Sequence, residues 1–291
     1  MVWKHIKTLL REGYGIEAVP SRGYRLTSIP DILRHSDIVQ GLGTTIVGID
    51  IRLFSEVAST NTLAMEMAAQ GAPDGAVVIA ETQTGGKGRL GRTWISPAGN
   101  LYMSVILRPE VPASTAPLIT LMGAVAVTHA IRRLCGLKAE IKWPNDILIS
   151  GRKVCGLLTE MSAEQDRIRH IVLGIGVDVN MDLGALPGEV QACATTLAAA
   201  SGTRIKRTEL LRTILRELDQ WYQVFTGGTA DILKEWERLN MTVGNRVTVR
   251  GSVETLEGQA TGIDDLGRLL ILTDNGILHA VSAGDVSVQK K

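Results

Sequence analysis

Apolar residues recur along this chain with two different periods, and the switches between them lay out its elements. Spacings of three and four predict helices over Met1 to Leu10, with Trp3, Ile6 and Leu10 on one face, and over Ile32 to Val39. Further helices are expected over Thr62 to Gln70, Pro117 to Leu134 and Ile232 to Leu239. The strongest pattern is Arg207 to Phe225, where Leu210, Leu211, Ile214, Leu215, Leu218, Trp221, Tyr222 and Phe225 share a face. Short alternating or continuous apolar runs predict strands at Ile16 to Val19, Tyr24 to Leu26, Thr45 to Phe54, Ala76 to Ala80 and Asn100 to Arg108. Others are expected at Ala139 to Trp143, Ile147 to Ile149, Val154 to Met161 and His170 to Asn180. The short links between these strands predict an α+β unit with a mixed, largely antiparallel sheet and helices on one face.

Punctuation sharpens the picture at both ends. Pro20-Ser21-Arg22-Gly23 turns the first two strands into a hairpin with a basic tip. Preceded by a basic helix, this is the ending of a winged helix-turn-helix, without its earlier helices in a chain that begins at Met1; the same pieces suit a helix–hairpin docked on the main body. Beyond Asn240, Arg246 to Val249, Leu256 to Ile263, Leu269 to Leu272, Ile277 to Val281 and Val286 to Val288 are short strands punctuated by Gly251, Gly258, Gly267, Gly276 and Gly284. That rhythm predicts a small SH3-like β-barrel. The expected units are 1–27, 28–240 and 241–291.

Composition narrows the class. A formal net charge of +1 gives no global pull toward nucleic acid, so any anion site must be local. Three scattered cysteines and five scattered histidines make neither a disulfide framework nor a metal-ligand pattern, and fit reduced thiols in the cytoplasm. The N-terminus is polar from Lys4, unlike a signal peptide, and the Pro117 to Ala130 apolar stretch reads as a buried helix too short to span a bilayer, so no membrane role is expected.

The local anion site is easy to find. Gly85-Gly86-Lys87-Gly88-Arg89-Leu90-Gly91-Arg92 packs four glycines and three cations into one turn, where N–H groups and positive charge can converge on phosphate or carboxylate oxygens. Walker A spacing from Gly86 to Thr93 is a decoy: Arg92 replaces the required lysine, and Trp94 to Asn100 carries the Pro and Gly that would break the helix a P-loop needs.

Taken together, the motifs make the chain resemble bacterial biotin–protein ligases of the type that double as biotin operon repressors. They are Ser59-Thr60-Asn61, Gln83, the glycine–cation loop, Trp94 with Ser96-Pro97, Asn100 to Ser104, Lys142-Trp143-Pro144-Asn145-Asp146, Arg152-Lys153-Val154-Cys155-Gly156 and Gly174-Ile175-Gly176. The resemblance implies a class II synthetase-like catalytic domain that makes biotinyl-5′-adenylate from biotin and ATP with Mg²⁺. It then passes biotin to a lysine of a biotin carboxyl carrier protein. It further implies a homodimer, with operator DNA as a further partner if the first module suffices. By position, Ser59, Thr60, Asn61 and Gln83 would hold the ureido group. Gly86, Lys87, Gly88 and Arg89 would wrap carboxylate and phosphate, and Gly156, Gly174 and Gly176 would let backbone lie against biotin. Arg89 and Lys153 would carry the chemistry. Arg92, Trp94, Lys142, Asn145, Asp146 and Asp178 would serve ATP, with Trp94 over the adenine. Two positions depart from the family's habit: Lys87 stands in place of Arg, and Asp178 in place of Asn. A lipoate–protein ligase shares the same chemistry and is the rival reading.

Overall fold

The computed structural model describes residues 2–11, 13–20, 22–28, 30–164, 167–251 and 255–289. Met1 of the first predicted helix and Ser21 of the predicted hairpin turn lie outside them. The chain begins with α1 (Val2–Arg11) and an antiparallel hairpin, β1 (Gly15–Val19) and β2 (Gly23–Ser28). In α1 only Ile6 is buried, and Trp3 stacks on Tyr24 with ring centroids 6.3 Å apart.

The central body follows as α2 (His35–Val39), β3 (Ile51–Val57), α3 (Thr60–Ala69), β4 (Val77–Gln83), β5 (Leu101–Leu107), α4 (Ala116–Cys135), β6 (Ala139–Lys142), β7 (Asp146–Ile149), β8 (Arg152–Glu164) and β9 (Arg167–Val177). Then come α5 (Gly188–Cys193), α6 (Leu197–Ser201), α7 (Arg207–Gly227) and α8 (Ala230–Leu239). Seven strands make one sheet in the order β3-β4-β5-β9-β8-β7-β6, parallel at β3–β4 and antiparallel elsewhere.

Helices cover both faces of this sheet, not one. Side chains alternate across a strand, so Val77, Ile79, Met103 and Val105 join α4, α7 and α8 in the main core. Val78, Ile106 and Val172 pack on the other side with Ala64 and Ala68 of α3. Alanines let α3 lie close, which is why so short a helix can close that face. α4 is long and apolar enough to cross a membrane by length and composition, contrary to the sequence expectation, but 72% of its most apolar window is buried inside the protein.

The run Thr45 to Phe54 is a strand only from Ile51. Upstream, the N–H groups of Thr45, Ile46 and Val47 donate to the Asp219 carboxylate of α7 at 3.1, 2.7 and 2.8 Å. Backbone donors satisfied by a side chain do not enter a ladder.

After Asn240 come β10 (Arg246–Arg250), β11 (Thr255–Ile263), β12 (Leu269–Leu272), β13 (Leu278–Val281) and β14 (Asp285–Val288), an antiparallel five-stranded sheet in the order β13-β12-β11-β10-β14. Trp143 joins this sheet to the central one. Its side chain is buried, its Nε1 donates to Gly267 O at 3.0 Å, and its backbone N donates to Thr242 Oγ1 at 2.9 Å.

Candidate active site

A cavity of about 320 Å³ opens between the N-terminus of α3, the glycine loop, the β7–β8 hairpin and the C-terminal end of β9. Ser59, Thr60, Asn61, Gln83, Lys87, Gly88, Arg89, Arg92, Trp94, Asn145, Asp146, Lys153, Gly156, Gly174, Gly176 and Asp178 all line it. Of the residues singled out in the sequence, Gly86 and Lys142 do not. Lys142 sits on edge strand β6, paired in register with Asp146.

One end of the cavity is a closed polar net. Ser59 caps α3, its side chain accepting from Thr62 N at 3.4 Å. Thr60 donates through both N and Oγ1 to Gln83 Oε1, at 2.8 and 3.1 Å, and Gln83 Nε2 donates to Ser96 Oγ at 2.9 Å. Ser104 Oγ lies 2.8 Å from Thr60 Oγ1 and 2.6 Å from Asn61 Oδ1. Asn61 Nδ2 donates to Glu160 Oε2 at 2.8 Å and to Leu158 O at 3.2 Å. Interlocking of this kind holds every donor and acceptor in one orientation, which suits a ligand with fixed hydrogen-bonding edges.

The glycine loop is a small hairpin. Gly88 N donates to Arg92 O at 2.7 Å and Trp94 N to Gly86 O at 2.9 Å, leaving Arg89–Gly91 at its tip. Freedom in φ explains less of it than the composition suggests. Among its four glycines only Gly91 is left-handed (φ 72°), and the neighbouring left-handed residue is Leu90 (φ 55°). Gly86 is required for space: a Cβ there would sit 2.3 Å from Trp94 O.

Glycines of the sheet act likewise. A Cβ on Gly174 would lie 2.1 Å from Asn61 Oδ1, and one on Gly176 would lie 2.6 Å from Trp94 Nε1. A Cβ on Gly156 would meet Trp94 Cζ3 at 2.9 Å. In this structure the ground expected to meet biotin is thus taken by Asn61 at Gly174 and by the indole of Trp94 at Gly156 and Gly176. Trp94 Nε1 is buried there without a hydrogen-bond partner, beside Lys153, whose Nζ stands 5.1 Å over the ring.

The cations converge. Lys153 Nζ pairs with Asp146 Oδ1 at 2.5 Å. Arg89 Nη1 donates to Asn145 Oδ1 at 3.2 Å and to Gly284 O at 3.4 Å, and Arg92 pairs with Asp285. Burial lowers the Arg89 pKa, opposed by the carboxylates of Asp285 and Asp146. An arginine partly stripped of water and held by neutral oxygens is set to receive anionic oxygens.

Behind the wall, buried Arg207 donates to Asn100 O at 2.9 Å and to Glu81 Oε1 at 2.7 Å, and its Nε is 3.0 Å from Asp31 Oδ2. Asn100 in turn accepts from Val179 N at 2.7 Å and donates from Nδ2 toward Asp178 Oδ1 at 3.3 Å. Burial pushes the Asp178 carboxyl up to about 7, against a smaller opposite pull from Lys153.

Several residues of the site carry no signal in the sequence reading. Asp285 and Gly284 arrive from the C-terminal sheet, far along the chain. Met181, Leu186 and Val190 add apolar wall after β9, and only their hydrophobicity hinted at it.

Residues 53–178 match the Biotin/lipoate A/B protein ligase family and residues 242–289 the Biotin protein ligase C terminal domain. The chain is 43% identical over 284 residues to the "Bifunctional ligase/repressor BirA" of Bacillus spizizenii, covering 97% of this chain and 87% of that one. It is 33% identical to the "Biotin--[acetyl-CoA-carboxylase] ligase" of Mycobacterium tuberculosis over 80% of this chain and 86% of that one. The biotin protein ligase of Aquifex aeolicus solved with biotin and ATP superposes with a TM-score of 0.72 at 28% identity, covering 84% of this chain and all of that one. Nearly all of the central sheet and most of the cavity wall fall in the first matched stretch and the C-terminal sheet falls in the second, and the chain belongs to the biotin protein ligase family.

Proposed function

We propose that this chain ligates biotin to a lysine of a biotin carboxyl carrier protein in two steps at the one cavity. First a biotin carboxylate oxygen attacks the α-phosphorus of ATP, the Pα–O–Pβ bond breaks, and pyrophosphate leaves. Then the acceptor amine attacks the acyl carbon of biotinyl-5′-adenylate, the acyl C–O bond breaks, and AMP leaves as an amide forms. Neither step needs a protein nucleophile, so catalysis is positioning and charge stabilisation.

The observation that carries this reading is the presence of Arg89 and Lys153, from two separate motifs, on the walls of one cavity. Ser59, Thr60, Asn61 and Gln83 would orient the ureido group. Lys87, Gly88, Arg89 and Lys153 would grip the carboxylate–phosphate junction, with Arg92, Trp94, Asn145, Asp146 and Asp178 on the nucleotide side. Mg²⁺ would enter on the triphosphate beside Asn145 and Asp146. Residues 28–240 would form the catalytic unit and 241–291 a barrel packed on it. ATP as a substrate and free Cys135, Cys155 and Cys193 suit the cytoplasm.

Acid-dependent pyrophosphate release with biotin or lipoate in turn, followed by transfer to a carrier domain, tests the reading, and response to lipoate alone would overturn it. Arg89→Ala or Lys153→Ala should slow transfer by about 10²–10³-fold with the fold intact. Normal labelling by both variants would refute their roles.

A repressor role is a second reading, carried by the basic α1 and its hairpin and by the bifunctional relatives. A homodimer would accompany it by family likeness. A salt-dependent shift of operator DNA by the full chain tests it.

A further inference from the structure

The polar net at the α3 end of the cavity has its direction set from outside the cavity. Asn61 Nδ2 donates to the Glu160 carboxylate on β8 at 2.8 Å and to Leu158 O at 3.2 Å, which uses both amide protons. Carboxylates and carbonyls accept and do not donate, so Asn61 Oδ1 is the atom that faces Ser104 Oγ, at 2.6 Å. At the far end Ser96 Oγ donates to Trp94 O at 2.9 Å and accepts from Gln83 Nε2, which turns Gln83 Oε1 toward Thr60. Four oxygens then stand in a row: Asn61 Oδ1, Ser104 Oγ, Thr60 Oγ1 and Gln83 Oε1. Their gaps are 2.6, 2.8 and 3.1 Å, and the two hydroxyls supply two protons for three gaps. Ser104 has a single proton, and Asn61 Oδ1 is its nearer acceptor. Thr60 Oγ1 therefore receives no proton from the row, whichever neighbour takes its own. Thr60, Asn61 and Ser104 are all buried, so bulk water does not make up the shortage.

We propose that Glu160 is a positioning residue for the ureido group: by fixing the Asn61 amide it draws the Ser104 proton away from Thr60 and keeps Thr60 Oγ1 open to a ligand N–H. This inference rests on the ligase reading above. The open valences of the wall match such a group. Thr60 Oγ1 lacks an incoming proton, while the hydroxyl proton of Ser59 and the second Nε2 proton of Gln83 have no protein acceptor among the described residues. One acceptor and two donors complement a cyclic urea, whose N–H donates and whose carbonyl oxygen accepts. Glu160 does not line the cavity, so its effect on a ligand passes through Asn61. With the amide reversed, Asn61 Nδ2 would donate to Ser104, whose proton would turn to Thr60 and fill the acceptor. Reversal would also set the Oδ1 lone pairs against the Glu160 carboxylate, 2.8 Å away, and so Glu160 bars it. A glutamine in its place brings an N–H₂ group and lifts that bar, leaving the longer Leu158 contact to oppose it.

The test uses the full chain, Glu160→Gln, Thr60→Val and the double variant, with biotin as the titrant in calorimetry. Glu160→Gln keeps the shape of the side chain, and it should raise the Kd for biotin about tenfold, the worth of one hydrogen bond, while the KM for ATP stays within about twofold. Thr60→Val removes the acceptor on which Glu160 acts. Adding Glu160→Gln to it should therefore change the biotin Kd by less than about twofold, a coupling that general loosening would not produce. Glu160→Met, which removes the acceptor without bringing a donor, is the second variant and should weaken biotin by a similar factor. An unchanged biotin Kd in Glu160→Gln and Glu160→Met overturns the inference. So do effects of Glu160 and Thr60 that simply multiply, or a rise in the KM for ATP that matches the loss of biotin. Each of these leaves the ligase reading in place, whereas failure of the parent chain to bind biotin removes both.

Discussion

Replacing Gly174 by alanine is the sharpest probe of how the site is packed. Gly174 does not have a positive φ, so alanine meets no backbone strain there. What it meets is Asn61: Oδ1 at 2.1 Å, Cγ at 2.8 Å and Nδ2 at 3.0 Å from the new methyl. The strand cannot retreat, because β9 is paired on both sides, Gly174 opposite Ser104 on one and Leu158 on the other. Asn61 must therefore swing away from Ser104, Leu158 and Glu160, its three hydrogen-bond partners. At about 1 kcal/mol net for each neutral bond and up to about 3 for the one to a carboxylate, the loss is on the order of 3–5 kcal/mol. The reduced freedom of the unfolded chain returns less than about 1 kcal/mol of it. Urea melts of Gly174→Ala, Asn61→Ala and the double variant give the assay. With Asn61 truncated the methyl has room, so the two changes should couple by at least about 1.5 kcal/mol. Additivity within about 0.5 kcal/mol would refute the reasoning, since it would mean that the methyl and the amide never compete.

Other perturbations reach different parts of the site. Arg207→Met leaves half-buried Glu81 and Asp31 without their buried cation and should cost about 2–3 kcal/mol by denaturant melting, less than for a fully buried pair because both carboxylates keep some water; a cost below about 1 would show that the network is slack. Asp285→Ala cuts the contact between the C-terminal sheet and the glycine loop. Because Arg92 is well exposed, stability should change by less than about 1 kcal/mol, while KM for ATP rises. An unchanged KM would make that contact incidental. Asp178 also sets a pH dependence of stability: its folded pKa of about 7 lies above its value of about 4 when unfolded, so the folded state binds the extra proton. The unfolding free energy from urea melts should fall as pH rises from about 4 to 7, by up to roughly 3–4 kcal/mol, and fall less in Asp178→Asn. Parallel curves for the two proteins would contradict that assignment.

Helix α7 was legible from spacing alone, and Leu210, Leu211, Ile214, Leu215, Leu218, Tyr222 and Phe225 are all buried as its period requires. Apart from β3, which begins six residues later than expected, the strands of the central sheet were legible to within a few residues, since alternation and turn chemistry are written within short stretches. β9 shows the limit: the expected His170 to Asn180 runs instead from Arg167 to Val177, and the chain leaves the ladder in time to turn Asp178 into the cavity wall. Chemical character was legible too, because glycine-spaced cations at 85–92 and a lysine after a hairpin turn at 150–153 announce their chemistry wherever they fall.

What the chain's own order determined, then, was the list of elements and the inventory of charges, both local properties. Which groups meet was decided only in three dimensions. Asp219 captures the N–H groups of residues 45–47 across more than 170 positions, ending a strand that hydrophobicity alone would have begun there. Asp285 reaches Arg92 across 193 positions. The glycines at 156, 174 and 176 prove to be seats for Trp94 and Asn61, and α3 closes a face of the sheet that strand alternation left open. Periodicity acts over a few residues, whereas contacts such as these exist only after distant segments have paid the entropy of closing long loops and packed at fixed distances.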